Sequence, residues 1–344
     1  MKTGENRLAE KTQDQRPTQK SIASKAGVSV GAVSRALAND PKIAADTRQR
    51  ILSIATELGY TPDRAAQRLR TGKTQVINLI LPPHDEIFGF GTSIIRGITR
   101  GLEGSGYHLV VTPDFGADDH GDVLTRIVKN KLADGILFSR TEPNDPRVRY
   151  LSEANFPFVS HGRTELATPH AYVDYDNFGF AYEAALRMIQ KGADKIAILL
   201  PPSTLTFRQH LLHGFMTAVR ETGVAFEIIE GATLESSAEQ IETAISERFA
   251  KAHRPNGLIL PGEVSGLAAL AAIQDLELTP EKDVRMVVKQ TSGLFDLTRP
   301  KVGSIYEDLA TAGFQMATLL RKRIDNAPIE SLQYVQPISQ APNR

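Results

Sequence analysis

The sequence contains no cysteine, which excludes disulfides and thiolate metal sites and fits a reducing cytoplasm. It also has no apolar run of membrane-spanning length, and its first residues, MKTGENRLAEKTQDQRP, hold no hydrophobic leader core. A soluble cytoplasmic chain with no membrane partner is expected. Motifs of catalysis are missing too. There is no G-x-S-x-G elbow, no Walker loop and no H-x-x-x-H metal helix, so neither an enzyme nor a cofactor or metal is expected. The eight histidines, at 84, 108, 120, 161, 170, 210, 213 and 253, lack ligand spacing and read mostly as loop or surface residues. Gly89, Gly91, Gly101 and Gly104 read as turn and helix-end glycines. The carboxylate pairs Asp118/Asp119 and Asp174/Asp176 read as helix caps and solvated loop residues.

Net charge is absent as well, 40 Lys and Arg balancing 40 Asp and Glu. The balance hides a division. Residues 1–73 carry 14 basic against 7 acidic side chains, and residues 74–344 carry 26 against 33. A basic head on an acidic body is the electrostatic footprint of a nucleic-acid-binding domain joined to something else. At 344 residues and 41% hydrophobic content, the chain can bury a sizeable core and hold two or three units.

Residues 1–17 have almost no apolar content and are expected to be disordered. The stretch that follows, TQKSIASKAGVSVGAVSRALAN over 18–39, reads as two short helices around a tight turn. Gly27 supplies the left-handed residue that ends the first helix, and Ser29 stands where an N-cap belongs. The second helix buries Val33 and Leu37 at i, i+4 and leaves Val30, Gly31, Ser34 and Arg35 on another face. That arrangement is the helix-turn-helix, although a plain αα-hairpin reads the same way in isolation. A third helix over 47–58, with Ile51, Leu52, Ala55 and Leu58 at helical spacing, closes a small core with Ile22, Val33 and Leu37.

The run GVSVGAVSRALAN…GYTPDRAAQRLRTGKT resembles the lactose/galactose repressor (LacI/GalR) family, whose pattern is VSxxTVSR, a third helix ending in LGYxPN, and a hinge helix reading RxAxxL. Ala32 departs from the usual Thr, and Asp63 from the usual Asn. The resemblance implies a homodimer on a double-stranded pseudopalindromic operator. Val30 and Gly31 would lead the recognition helix into the major groove, and Arg35 would pair with guanine. Lys20, Lys25, Ser29 and Ser34 would hold phosphates. Arg64 and Leu69 would belong to the hinge helix, Leu69 as an apolar wedge in the minor groove. The stretch after Ile324 carries Pro328, Pro337 and Pro342 and no leucine heptad, so a dimer is expected rather than a tetramer.

From Val76 the pattern becomes strands alternating with amphipathic helices. Strands are expected at 76–81, 107–112, 135–138 and 156–160, then at 195–200, 225–229, 257–260 and 284–288. Two such series imply two doubly wound parallel sheets. A last strand at 303–306 and a helix at 308–324 are expected to cross back and complete the first lobe. The division reads as a DNA-binding domain at 18–61, a hinge at 62–75 and a two-lobed α/β body at 76–340. Lobe 1 takes about 76–173 and 303–325; lobe 2 takes about 174–302 and 329–340. This is the periplasmic-binding-protein-like fold that the resembled family uses as its sensor.

Ligands of such sheets sit beyond the carboxyl ends of the strands. The strand-end segments carry Phe88 and Phe90, Ser139, Arg163, Arg208 and His210, Glu263, Gln290 and Glu307, a set able to bind the hydroxyls and ring faces of a sugar. By the resemblance, Ser139, Arg163, Glu263, Gln290 and Glu307 fall at or beside effector-contacting positions. Leu211 stands where the family has Arg, with Arg208 or His210 as its replacement. Gly262 replaces Asn, and Lys289-Gln290 replaces an aromatic-Asp pair. No effector therefore carries over by name. The expected function is a repressor of carbohydrate-utilisation genes under a sugar-like effector. The alternatives are a purine or phosphorylated metabolite as effector, or a sugar-binding protein with no regulatory role.

Overall fold

The computed structural model describes residues 17–61, 68, 72–82, 87–114 and 120–338. The chain divides into two compact units, Met1–Thr74 and Gln75–Arg344.

The first unit holds three helices, α1 (Gln19–Ala26), α2 (Val30–Leu37) and α3 (Ala45–Glu57). Thr18 and Ser21 form a reciprocal capping box at the start of α1, and Gly27 ends it at φ 65°. The core is Ile22, Ala23, Ala26, Val33, Ala36, Ile51 and Ala55. Two expectations shift by one helical position. Ala36 is buried where Leu37 was expected, Leu37 being half-buried, and Leu52 is 38% exposed. A 3.6-residue repeat leaves neighbouring positions nearly equivalent, and only the crossing of the three helices chooses between them.

The second unit is two parallel sheets. The first has its strands in the order 333–336, 172–175, 158–161, 135–139, 76–81 and 108–113, and the second in the order 303–306, 285–290, 257–260, 195–198 and 225–228. In chain order the elements are β1 (Val76–Leu81), α4 (Ile87–Leu102), β2 (His108–Pro113), α5 (His120–Lys129), β3 (Gly135–Ser139), α6 (Pro146–Glu153), β4 (Phe158–His161) and β5 (Tyr172–Tyr175). The second lobe follows with α7 (Asn177–Gln190), β6 (Lys195–Ile198), α8 (Thr206–Thr222), β7 (Ala225–Ile228), α9 (Ala238–Phe249), β8 (Gly257–Leu260), α10 (Glu263–Asp275), β9 (Arg285–Gln290) and β10 (Gly303–Tyr306). The chain then returns through α11 (Leu309–Ile324) and β11 (Gln333–Gln336).

The return path corrects the sequence expectation. Strand 303–306 pairs with β9, Gly303 opposite Val287 and Tyr306 opposite Gln290, and so belongs to the second lobe. Strand 333–336 pairs with β5 in the first sheet rather than the second. β5 itself was not expected as a strand, and Asp174 therefore lies in the first lobe. Short apolar runs declare a strand but not its neighbour; pairing is chosen in three dimensions. The three crossing segments are bonded together at the hinge. Asp176 N donates to Gln336 O at 2.9 Å, Gln336 Nε2 to Asp308 O at 3.3 Å, and Glu307 N to Gln290 O at 3.0 Å.

Helix α4 starts at Ile87, so Gly89 and Gly91 are helical rather than turn residues. At Gly97 an added Cβ would meet Ala310 O at 2.0 Å, and at Gly313 it would meet Ile94 O at 2.3 Å. α4 and α11 thus cross with their backbones almost touching. Ile94 and Ile98 seal the same crossing against Leu309, Met316 and Leu320.

Candidate functional site

In the first unit, Ser29 Oγ accepts from Ala32 N at 3.2 Å and so caps α2, with its hydroxyl at the helix's leading end. Lys20, Val30, Gly31 and Arg35 are exposed and Ser34 is half-buried. Arg35 Nε donates back to Gly31 O at 3.3 Å across one turn. Lys25 is held by Glu57 at 2.6 Å on the surface, a weak pair that a phosphate can displace. Gly31 faces open space, the nearest atom to an added Cβ being Ser29 Oγ at 4.0 Å. Packing within the unit therefore does not require glycine there, although glycine costs a helix about 1 kcal/mol relative to Ala. Arg64 and Leu69 lie outside the described residues. Of the neighbouring run only Arg68 is described, and it is helical.

In the second unit, the carboxyl ends of both sheets open onto one cavity of about 100 Å³. From the first lobe come Phe90, Ser139, Arg163 and the buried Asp174; from the second come Asn177, Phe207, His210 and Lys289. The hinge adds Glu307. Arg163 Nε lies 3.0 Å from Asp174 Oδ2. Lys289 Nζ lies 2.8 Å from Glu307 Oε2, donates to Asn177 Oδ1 at 3.2 Å, and sits over the faces of Tyr175, Phe180 and Phe207. Ser139 Oγ and His161 Nε2 are buried at the cavity without a hydrogen-bond partner. Polar atoms so placed on a cavity wall are suited to hydrogen-bond a ligand or water. Across the cleft, Arg140 pairs with Glu235, and Thr206 N donates to Thr141 O at 2.9 Å.

Burial governs the titration here. It pushes the Asp174 carboxyl up to about 6 even though Arg163 opposes the rise. It brings the His210 imidazole down to about 4, and lowers that of His161 against the pull of Glu307. Both rings are accordingly neutral near pH 7, able to donate from one nitrogen and accept at the other.

The expected effector residues divide. Phe90, Ser139, Arg163, His210, Glu263 and Glu307 line the cavity. The side chain of Phe88 lies outside the described residues. Arg208 turns away and donates to Pro201 O, while Leu211 is a fully buried core residue; of the two stand-ins for the missing arginine, only His210 faces the cavity. Gln290 is occupied in anchoring the next turn, accepting from Phe295 N at 3.1 Å and donating to Asp296 Oδ1 at 3.4 Å. Glu263 reaches the cavity, but its oxygens accept from Thr291 N and Ser292 N at 2.9 Å and from both hydroxyls. Asp174 was read as a solvated loop carboxylate and is instead 3% exposed. Asp176 is a cap as expected, accepting from Gly179 N at 2.8 Å. Asp174 was missed because β5 was missed; Asn177 opens α7 and Lys289 lies in β9, segments that meet only in the folded chain.

Known proteins share this arrangement. Residues 18–63 match the model of bacterial regulatory proteins of the lacI family. Residues 74–320 match that of periplasmic binding proteins and the sugar binding domain of the LacI family. The chain belongs to the LacI family. Among LacI-family relatives, it is 33% identical to the HTH-type transcriptional regulator AglR of Rhizobium meliloti (strain 1021), over 78% of this chain and 76% of that one. It is 29% identical to the HTH-type transcriptional regulator RafR of Escherichia coli, over 91% and 94%. In three dimensions it is similar to a transcriptional regulator CelR–cellobiose complex, with TM-score 0.69, 25% identity and coverage of 94% and 98%. The operator-bound lac repressor dimer shares the fold, with TM-score 0.78 at 18% identity over 94% and 97%.

One histidine read as a loop or surface residue is a core residue of this LacI-family body. His170 is buried between Phe158 and Tyr172. Ser160 Oγ donates to Gly162 O at 2.6 Å, so the His170 Nε2 that lies 3.1 Å from the same oxygen is its donor. Burial lowers the His170 pKa from 6.5 to about 4. An unfolded chain binds this proton near 6.5 and the folded one only near 4. The stability that neutral His170 contributes is therefore present above about 6.5 and is lost as pH falls towards 4. Asp174, raised from 3.8 to about 6, acts in the opposite sense over that range. Thermal unfolding of His170→Phe should consequently fall less steeply between pH 6.5 and 4.5 than that of the natural chain. Parallel curves would rule out a buried neutral imidazole.

Proposed function

We propose that this LacI-family chain is a homodimeric repressor of carbohydrate-utilisation genes, controlled allosterically by a sugar-like effector bound between the lobes of its second unit. The observation that carries the proposal is the convergence on one cavity of Ser139, the Arg163–Asp174 pair, Asn177, the Lys289–Glu307 pair and the Phe90 and Phe207 rings. The planar Arg163–Asp174 pair and the Lys289–Glu307 pair offer donors and acceptors to adjacent hydroxyls, and aromatic faces take the apolar side of a sugar ring. A relative of similar structure has been captured with cellobiose, which supports the carbohydrate reading.

On DNA, the exposed Val30, Gly31 and Arg35 would face base edges, with Gly31 admitting the helix backbone closely. Lys20, Ser29 and Ser34 would hold phosphates. Leu69 would wedge the minor groove where two hinge helices meet. An effector moves operator binding only through its difference in affinity for the two states of the lobes.

Operator binding measured across a salt series tests the first half. The slope of log K against log salt should be steep and negative, and the footprint should be a pseudopalindrome. Leu69→Ala should weaken operator binding by roughly one to two orders of magnitude while leaving effector affinity almost unchanged. An unrepeated half-site, or a slope near zero, would count against this reading. Leu69→Ala within about twofold of the natural chain would remove the hinge wedge alone.

A further inference from the structure

The cavity is lined by several charges, and what they leave available bears on the ligand. Three cations reach it, and each already has a carboxylate. Arg163 has Asp174 at 3.0 Å, Lys289 has Glu307 at 2.8 Å, and Arg140 has Glu235. Among the described residues lining the cavity, no Lys or Arg lacks such a partner. Segments 83–86 and 115–119, outside the described residues, contain neither Lys nor Arg.

The other device for holding an anion is an open helix N-terminus. Of the helices that begin near the hinge and cleft, α7 and α11 are capped by a carboxylate, and α10, which has no side-chain cap, begins with an acidic residue. Asp176 accepts from Gly179 N at 2.8 Å at the start of α7, and Asp308 from Thr311 N at 2.9 Å at the start of α11. Glu263 is the first residue of α10. α8 has no side-chain cap, and there Thr206 N is spent on Thr141 O and Arg208 N on Leu205 O.

An anionic ligand would have to displace one of these carboxylates or add a charge beside it in a buried space. Either costs more than its hydration can return, because a buried carboxylate without its cation is strongly unfavourable. An uncharged hydroxyl group needs no such exchange. It can donate to a carboxylate oxygen and accept from the paired cation without separating them. Lys289 is the clearest case. Its ammonium has three donors, of which Glu307 and Asn177 use two, and the remaining one suits a hydroxyl oxygen.

We infer that the Lys289–Glu307 pair is a charge filter that determines specificity, making the cleft select an uncharged, hydroxyl-rich ligand over its phosphorylated or carboxylated counterpart. The inference rests on the reading of this cleft as the effector site. Glu307 sets the sign of the filter. With its carboxylate gone, Lys289 is a buried cation with only the Asn177 amide oxygen and three ring faces, and an acidic ligand becomes its natural counter-ion.

Calorimetric titration of the full chain with matched ligands tests this. Neutral mono- and disaccharides are each paired with the 6-phosphate or uronic acid of the same sugar, and operator release is read in parallel. For every sugar that binds, the charged form should bind at least roughly tenfold more weakly. Glu307→Gln should close or invert that gap for the uronic acids. Lys289→Gln, which leaves the Glu307 carboxylate facing the ligand without its cation, should widen the gap, and it decides the matter together with the natural chain if Glu307→Gln alone does not fold. A phosphate or uronate binding as tightly as its neutral partner to the natural chain would overturn the filter and leave the carbohydrate reading standing. If no sugar of either charge binds or releases operator, the carbohydrate reading falls and the filter with it.

Discussion

Arg163→Ala should abolish the response to effector, lowering effector affinity by about two orders of magnitude while operator affinity without effector stays within about twofold. The guanidinium does two things at the cleft. It offers planar donors to a bound hydroxyl, and it is the cation beside Asp174, whose carboxyl is 3% exposed. Truncating one member of such a pair leaves the other buried and unpaired, at a cost of about 3–5 kcal/mol. Asp174 escapes that cost by taking up a proton. Its pKa, already raised to about 6 by burial, rises further once the arginine is gone. The carboxylate acceptor that a ligand hydroxyl would meet near pH 7 then becomes a neutral acid. Arg163→Lys keeps the charge but not the planar fork, and should recover only part of the affinity. Operator binding depends on the first unit and should be unaffected. Isothermal titration with the releasing ligand, alongside operator release, checks both halves. An unaltered effector response in Arg163→Ala would remove this pair from the site.

The second large effect concerns the body itself. In an exposed helix, Gly→Ala is stabilising by about 1 kcal/mol. Gly97→Ala should do the reverse, because the new methyl would lie 2.0 Å from Ala310 O and 2.9 Å from Phe314 N. Both are backbone atoms of α11, so no side chain can turn aside and the helices must separate. Separation also opens the packing of Ile94 and Ile98 on Leu309, Met316 and Leu320. Overpacking of this kind typically costs about 1–3 kcal/mol and more where backbone must move. For a unit of this size a loss of about 3 kcal/mol lowers the melting temperature by roughly 6–12 °C. Gly31→Ala is the control. Its methyl enters open space, and its stability should match or exceed that of the natural chain while its operator affinity falls. Differential scanning calorimetry of the two variants separates the effects, and a Gly97→Ala chain as stable as the natural one would contradict the close crossing of α4 and α11.

Much of this architecture follows from local sequence. The turn at Gly27, the cap at Ser29 and the apolar positions Ile22, Val33 and Ile51 are each marked within their own helix, so those parts of the three-helix unit were legible, whereas the Thr18–Ser21 capping box and the burial of Ala36 were not. The α/β alternation of the body is equally local, each strand and helix carrying its own period. So was the division of charge between the basic head and the acidic body. Phe90, Ser139, Arg163, His210, Glu263 and Glu307 could be placed near the cleft because strand ends in such sheets share one edge.

Tertiary structure alone decided the rest. Strand 303–306 carries no mark of whether it pairs with β9 or returns to the first sheet; hydrogen bonding to the neighbour chooses. Gln290 and Lys289 are adjacent in sequence, yet alternation along β9 turns one toward the 3₁₀ turn at Leu294–Asp296 and the other into the cavity. Asp174 and Arg163 become a pair only where β5 lies beside β4, and Lys289 and Glu307 only where β10 lies beside β9. Charges titrate and select ligands according to their burial and their neighbours. Those neighbours are distant in sequence, so the family and the fold could be read from the chain, whereas the charge character of its cleft came only from the folded arrangement.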